Sequence, residues 1–408
     1  MIDLLVIGAG LTGLFASWLA ARRGARTMLI AYGRGGLELT NGCLAVAAGD
    51  SPRRAIQSSR RPHPYALIGV GTVERALDSL LTLLHGDGLP YAGSLDTNMI
   101  LPTASGRTIA SAFAPAALAS AALNGRQPIT IAGFIGFRDF DSALAARVLG
   151  ASLQRPVASL DLPLPGPTPR RDQYATDLAR LFEDASWRET AVRAWRPSLV
   201  GASLLGMPAT LGLRLHRSVW QDLQDRLEVP LFEIPTLPPS LPGLRLEWAL
   251  RQACQREGVD FLEGARAVGR VERRRSRARV AGAVAMAAGG PQAFDAGAVV
   301  LASGDFLHGG LVGRQNGLVQ ESVFDLPVVH HSDRSTWVSP RAGDTQPYAS
   351  FGLRVDASMR PLDPGGQPMF PNLFAAGGVI AGARRAEEGS RQGIALGTAL
   401  CAVEAALA

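Results

Sequence analysis

IDLLVIGAGLTGLFASWLAARRGARTMLIAYG, residues 2–33, is the stretch on which the fold turns. Leu4 to Ile7 is a short apolar run and reads as a buried strand. Gly8-Ala9-Gly10-Leu11-Thr12-Gly13 follows with the spacing G-x-G-x-x-G, and Leu14 to Arg22 continues with helical apolar spacing. Gly24 ends that helix, and Thr27 to Ala31 reads as a second strand. Each glycine answers a physical need. Gly8 permits the tight turn, Gly10 leaves room for a pyrophosphate against the backbone, and Gly13 lets the helix pack close to the strand. The N–H groups of Leu11 and Thr12 at the helix start, with the helix dipole behind them, favour phosphate charge. The motif in this strand–helix–strand context predicts a dinucleotide-binding α/β domain.

One element of the pattern is missing. An acid at the end of the second strand would hold a ribose 2′-hydroxyl. Here the chain reads Ala31-Tyr32-Gly33, and the nearest acid is Glu38. The ribose contact at Ala31 is therefore weaker or made by backbone. Arg34 is placed to take a 2′-phosphate, but arginine is abundant throughout. The opening alone leaves nicotinamide and flavin dinucleotides both open.

Composition bounds the remaining classes. With 408 residues, 47% of them apolar, the chain has length for two or three domains and a large core. Its net charge is +6, and all 41 basic residues are arginine. The dense run from Arg270 to Arg279 lies among strand-like segments without aromatic residues between the charges, so it reads as a solvated hairpin edge and not a nucleic-acid surface. Cys43, Cys254 and Cys401 are far apart, so no iron–sulfur or zinc site is expected within the chain. A sparse, odd set of cysteines suits a reducing cytoplasm. No signal peptide is read, because the first apolar run is the nucleotide-binding strand. No run reaches the ~20 apolar residues of a membrane span, since Pro115 interrupts Ala110 to Leu123.

Further along, the texture changes and then returns. Residues 1–60 form the first part of the dinucleotide domain, with a following loop, GRGGLELTNGC. Residues 61–235 carry helical segments at Gly71 to Leu84, Gln173 to Phe182 and His216 to Leu227, between Pro-rich connections such as LPLPGPTPRR. From residue 236 to 408 the first texture resumes: a helix at Leu244 to Glu257, then strands at Val259 to Leu262, Ala267 to Arg273, Ala278 to Ala287 and Ala298 to Ser303. A strand at Asn372 to Ala376 and a helix at Ile394 to Ala406 close the chain. The expected fold is α/β: a Rossmann-like domain split by an inserted α+β substrate or cap domain.

The closing segment, PNLFAAGGVIAGARRAEEGSRQGIALGTALCAVEAA, favours flavin. A strand ending at Ala375-Ala376-Gly377-Gly378, a loop, and a helix led by Gly393 and Ile394 would complete a flavin site. The helix start would face the flavin ring and stabilise negative charge on its reduced form. FAD is expected, with FMN as the alternative because the adenosine ribose lacks its acid.

These blocks resemble the flavoprotein B subunits of anaerobic glycerol-3-phosphate dehydrogenase. The resemblance runs through DLLVIGAGLTGL, the loop up to TNGC, HPYALIG (63–69), LPTASG (101–106), GFIGFRDF (133–140), VPLFEIPTLPPSLPGLRL (229–246), LASGDFLHGGLVG (301–313) and the C-terminal block. Members also lack the acid after the second strand. The resemblance implies FAD, with Thr40, Asn41, Gly42, Cys43, Ser303, Gly304, Glu388 and Gly389 added to the glycines as cofactor contacts. It departs locally, at Ser390-Arg391 where relatives tend to carry Cys and Gly, and at Arg384-Arg385. It further implies a second flavoprotein subunit, an iron–sulfur subunit, oxidation of glycerol 3-phosphate to dihydroxyacetone phosphate, and quinone as acceptor. Cytoplasmic location is expected, with peripheral membrane association only through those partners.

Oxidising an alcohol needs a base near the carbinol and an anion site for the phosphate. His330 and His331 are the candidate bases, and Arg245, Arg341 and Arg354 the candidate phosphate or flavin contacts. Ser240 and Asn41 offer polar edges or helix caps. Trp187, Trp195 and Trp220 are read as part of an exposed apolar docking surface for the partners, with core packing as the alternative. Two other readings stand beside the enzyme subunit: a structural or electron-transfer flavoprotein without its own turnover, and a free-standing flavin oxidoreductase.

Overall fold

The run Leu4–Ile7 is the buried part of a strand, Ile2–Ile7, in a computed structural model that describes residues 2–121, 123, 125–166, 172–274 and 277–408. The helix Leu11–Arg22 follows and then the strand Thr27–Ala31, which pairs parallel with the first strand from Leu4↔Thr27 to Ile7↔Ile30. This helix is buried from Leu11 to Ala21. Apolar residues all round a helix suit one covered on every side.

By its contacts the chain divides into two compact units. The first comprises Met1–Gly36, Ala45–Thr82 and Leu250–Ala408; the second comprises Leu37–Leu44 and Leu83–Ala249. The expected boundaries at 60 and 235 fall elsewhere in this division. Residues 61–82 pack with the first unit, 236–249 with the second, and the loop residues 37–44 also with the second.

In the first unit the sheet runs Asp260–Glu263, Thr27–Ala31, Ile2–Ile7, Gly290–Leu301, Arg277–Ala287 and Arg266–Arg274. The long strand Gly290–Leu301 changes partners along its length. Its first half pairs antiparallel with Arg277–Ala287; its second half pairs parallel with Ile2–Ile7 on one side and Leu373–Ala375 on the other. The mostly exposed first half gives way to full burial from Ala298 to Leu301, as a strand covered on both faces requires. Arg266–Arg274 and Arg277–Ala287 form the hairpin expected around the arginine run, in which Arg270 pairs with Asp295 at 2.5 Å. The turn residues Arg275 and Ser276 lie outside the described residues. The closing helix Arg391–Ala406 packs on Leu11–Arg22.

The second unit holds a four-stranded, wholly parallel sheet in the order Leu231–Ile234, Leu204–Pro208, Ile129–Phe134 and Val157–Leu162. Helices Ser142–Leu153, Ala175–Glu183, Ala185–Trp195 and His216–Leu227 accompany it. Two short antiparallel pairs, Tyr91–Gly93 with Phe113–Pro115 and Met99–Pro102 with Thr108–Ser111, complete its strands. The main sheet of the insert is thus of the parallel, helix-connected kind that the α+β expectation did not specify. The Pro-rich connection read at 162–171 is described only to Gly166; its remainder lies outside the described residues.

The tryptophans correct an expectation. Trp195 is fully buried, and Trp187 and Trp220 are partly buried against the same core. Phe134, Phe182, Trp187 and Trp195 form one ring cluster with centroids 5.1–6.4 Å apart. Each indole N–H donates to a carbonyl: Trp195 to Pro163 at 2.7 Å, Trp187 to Pro165 at 3.1 Å, Trp220 to Leu231 at 2.8 Å. An indole with its one donor satisfied and its faces packed is a core residue, so these three do not form a docking surface.

Candidate cofactor site

Three strands of the first unit end side by side, with Ile7 opposite Leu301 and Leu301 opposite Ala375. The turns after them stay together: Ala302 N–H donates to the Ile7 carbonyl at 2.9 Å and Ala376 N–H to the Leu301 carbonyl at 2.8 Å. Gly8–Gly13, Ser303-Gly304 and Gly377-Gly378 therefore leave the sheet at the carboxyl ends of parallel strands, where open α/β sheets bind ligands.

The close packing there leaves no room for side chains. Gly8 has φ +116°, and a Cβ on it would collide with the Ala302 carbonyl. A Cβ on Gly13 would collide with the Gly8 carbonyl, and one on Gly377 with the Thr12 hydroxyl. Gly10 differs: its φ is −75°, and a Cβ would meet only Gly35 backbone, 3.4 Å away. The space its missing side chain leaves is not needed by the fold. Gly10 is the N-cap of Leu11–Arg22, with no side-chain cap bond and no acid in the first turn. The first N–H groups of a helix have no intrahelical partner, so Leu11, Thr12 and Gly13 offer donors to a diphosphate. Among the described residues the hydroxyl of Ser303 is buried without a hydrogen-bond partner, a second group suited to a ligand. These residues fit a dinucleotide. At the second strand end Ala31 is buried, its carbonyl accepts from Ala265 N–H at 3.2 Å, and Tyr32 is exposed.

At the C-terminal block, Gly377 N–H donates to Thr398 Oγ1 at 2.9 Å, tying the glycine turn to the closing helix. Glu388 is bound to His63 Nε2 at 3.0 Å and to Ser390 Oγ at 3.2 Å, and its carbonyl accepts from Ala48 N–H. Burial raises the Glu388 carboxyl, but the hydrogen bonds of His63, Arg384 and Ser390 bring it below the usual range. Gly389 has φ +59°. Gly393 serves packing, since a Cβ there would collide with the hydroxyl of Tyr65, which donates to the Val46 carbonyl. The N–H groups of Gln392 and Gly393 both donate to the Ala45 carbonyl, and Ile394 is fully buried. At these positions the closing helix has already committed its donors to the protein, contrary to the expectation of a helix start open toward a flavin.

Other sequence candidates lie elsewhere. Thr40, Asn41, Gly42 and Cys43 belong to the second unit, where their polar groups close a local turn. Burial pushes the Cys43 thiol up to about 12. Arg245 also lies in the second unit, 2% exposed, donating to Glu233 at 2.5 and 2.9 Å and to the Gly212 carbonyl at 2.9 Å. Its guanidinium is engaged by the core, not presented as a phosphate clamp. Burial, with the Arg245 charge, lowers the neighbouring His216 to about 4. Ser240 Oγ in the same unit is buried without a partner. His330 and His331 lie in the first unit, Nδ1 of His330 against the Val328 carbonyl at 2.8 Å and Nδ1 of His331 against Thr336 Oγ1 at 3.1 Å. Both pack on Phe351. Arg354 donates to the carbonyls of Asp363 and Pro364.

Sequence reasoning missed a polar cluster beside the glycine turns. Asp305 follows Gly304 directly and accepts from His308 Nδ1 at 2.8 Å. Arg385 approaches the other Asp305 oxygen at 3.5 Å and donates to the carbonyls of Gly378 and Ile380. Burial alone would raise the Asp305 carboxyl, but the bond and charge of His308, then Arg385 and Leu307 N–H, bring it to about 2. The signal was present as Asp-x-x-His at 305–308, without a motif to mark it.

Fold and site together define an FAD-dependent oxidoreductase of the two-part dinucleotide type: the family model described as "FAD binding domain" matches residues 3–394. A probable B subunit of anaerobic glycerol-3-phosphate dehydrogenase from Halobacterium salinarum is 31% identical, over 99% of this chain and 97% of its own. The B subunit of anaerobic glycerol-3-phosphate dehydrogenase from Pectobacterium atrosepticum is also 31% identical, over 98% of this chain and 97% of its own. That from Mannheimia succiniciproducens is 28% identical, over 98% and 96%. Among solved structures, a 3-ketosteroid Δ1-dehydrogenase from Sterolibacterium denitrificans covers 100% of this chain and 99% of its own at 12% identity, with a TM-score of 0.46. The chain belongs to the family of B subunits of anaerobic glycerol-3-phosphate dehydrogenase, and its cofactor is FAD.

Proposed function

We propose that this chain is the FAD-carrying subunit that oxidises glycerol 3-phosphate to dihydroxyacetone phosphate, with electrons passing through an iron–sulfur partner to quinone. The observation that carries this reading is the near full-length match to relatives bearing that name, together with the FAD match over residues 3–394. Bound FAD supplies the acceptor for the substrate's two electrons. The chain's part is to hold it: the N–H groups of Leu11–Gly13 take the diphosphate, and Ser303 gives a hydroxyl. A second flavoprotein subunit and an iron–sulfur subunit complete the assembly in this reading. No described helix is long and apolar enough to cross a membrane, and membrane association is assigned to the partners.

Anaerobic mixing with glycerol 3-phosphate tests the reading. The co-expressed complex should lose its visible flavin absorbance within turnover time and reduce a quinone analogue; the isolated chain should turn over poorly. A complex whose flavin stays oxidised defeats the substrate assignment and leaves a structural or electron-transfer subunit. Rapid quinone reduction by the lone chain would favour a free-standing dehydrogenase.

A further inference from the structure

The turn after the strand Gly290–Leu301 is built around one carbonyl. The N–H groups of His308, Gly310 and Leu311 all donate to Asp305 O, at 3.3, 3.0 and 3.4 Å. Gly310 is pressed against the Gly304 carbonyl, and a Cβ on Gly304 would meet the His308 ring, 3.0 Å from Cγ. The His308 ring thus lies over Gly304, and Gly378 closes on the other side, where a Cβ would sit 3.1 Å from Gly304 Cα. The imidazole is fixed at the carboxyl edge of the sheet, among the turns that fit the dinucleotide.

Its electrostatic setting is equally defined. Asp305 holds Nδ1 at 2.8 Å, which selects the tautomer with the proton on Nδ1 and leaves a lone pair on Nε2. Nε2 has no hydrogen-bond partner among the described residues, and the side chain is 44% exposed. Arg385, 6% exposed, fixes the carboxylate from behind while its other donors grip Gly378 and Ile380. The charged groups facing the pair are Arg385 and, behind it, Arg391 and Glu388. A base oriented by a carboxylate, itself oriented by a third group, is the arrangement of a proton acceptor.

We propose that His308, oriented by Asp305 and Arg385, is the base that accepts the hydroxyl proton when an alcohol is oxidised at this site. The inference rests on the dehydrogenase reading above. In the step the O–H bond breaks and its proton goes to Nε2 of His308. A flavin held at these turns would supply the acceptor for the two electrons that leave with the carbinol C–H bond as the carbon–oxygen double bond forms. Asp305 stabilises the resulting imidazolium.

Two measurements test it. The first uses no substrate: 15N NMR of the His308 ring reads which nitrogen carries the proton in the FAD-loaded chain and in Asp305→Ala. The proton should sit on Nδ1 in the parent and redistribute toward Nε2 in the variant; the same tautomer in both overturns the pairing. The second is the pH dependence of kcat/KM in the complex. His308→Gln should keep its FAD and lose about a hundredfold or more. The acidic limb should vanish in that variant. Full activity with an unchanged limb in His308→Gln overturns the base. If that variant loses FAD, His308→Ala with added imidazole decides: recovered rate supports the base, no recovery overturns it. Failure of the wild-type complex to reduce its flavin with glycerol 3-phosphate defeats the substrate reading instead, and the NMR tautomer measurement still decides the pairing.

Discussion

Gly10 and Gly13 stand in one motif but meet different needs. Gly13 is required by the fold, because a Cβ there would meet the Gly8 carbonyl; Gly10 has ordinary φ and a Cβ contact no closer than 3.4 Å. Gly13→Ala should therefore lower the melting temperature of the FAD-free chain, by a cost of about 1–3 kcal/mol. Gly10→Ala should leave that melting temperature unchanged and weaken FAD binding roughly tenfold or more, read by titration of flavin fluorescence. Equal stability loss in both variants would contradict the assignment. A second residue-scale expectation concerns Glu321, which burial raises to about 7 from 4.5 against the N–H donors of Phe324 and Val323. A carboxyl raised in the folded state stabilises it fully below 4.5 and loses that contribution as pH rises through about 7. Glu321→Gln should thus gain stability relative to the parent across this window, by about 3 kcal/mol at most. A difference in denaturant midpoint that stays flat with pH would exclude it.

At the scale of elements, legibility followed the period of the apolar pattern and the punctuation around it. The first strand–helix–strand unit was readable because Gly8, Gly10 and Gly13 separate its parts, and His216–Leu227 because its apolar face repeats at helical spacing. The parallel strands Ile129–Phe134, Leu204–Pro208 and Leu231–Ile234 are buried at every position. Without alternation such runs give no periodic signal, so the parallel insert sheet went unread. The tryptophans failed for a related reason: sequence shows an aromatic residue but not the Pro163 carbonyl waiting for its N–H. The G-x-G-x-x-G spacing was legible, and close backbone packing demands Gly8 and Gly13 within it, whereas His308 depends on a turn whose closure no local pattern announces. Trp195→Ala should cost about 3–5 kcal/mol of stability in thermal or chemical unfolding. Unchanged stability with weakened subunit assembly would restore its docking role.

At the scale of the whole molecule, the cofactor turns come from three distant stretches of chain within one unit. Hydrogen exchange with and without FAD should show it. Added FAD is expected to protect amides at 8–14, 302–310 and 376–380, and to leave the helices Ser142–Leu153 and Ala185–Trp195 of the other unit unchanged. Protection centred on 37–44 in place of those segments would move the site to the second unit.

The strand Leu373–Ala375 pairs beside Gly290–Leu301, and the closing helix covers the opening one. A ribosome makes the glycine turn at residues 8–13 well before its neighbours at 373–375, roughly 20–80 s earlier at about 5–20 residues per second. Unit two, nearly all from the continuous stretch Leu83–Ala249, emerges whole in between. Cofactor loading then waits for Leu373–Ala375. A chain stalled before Leu373 should carry no FAD however much is supplied, while its middle portion already resists protease.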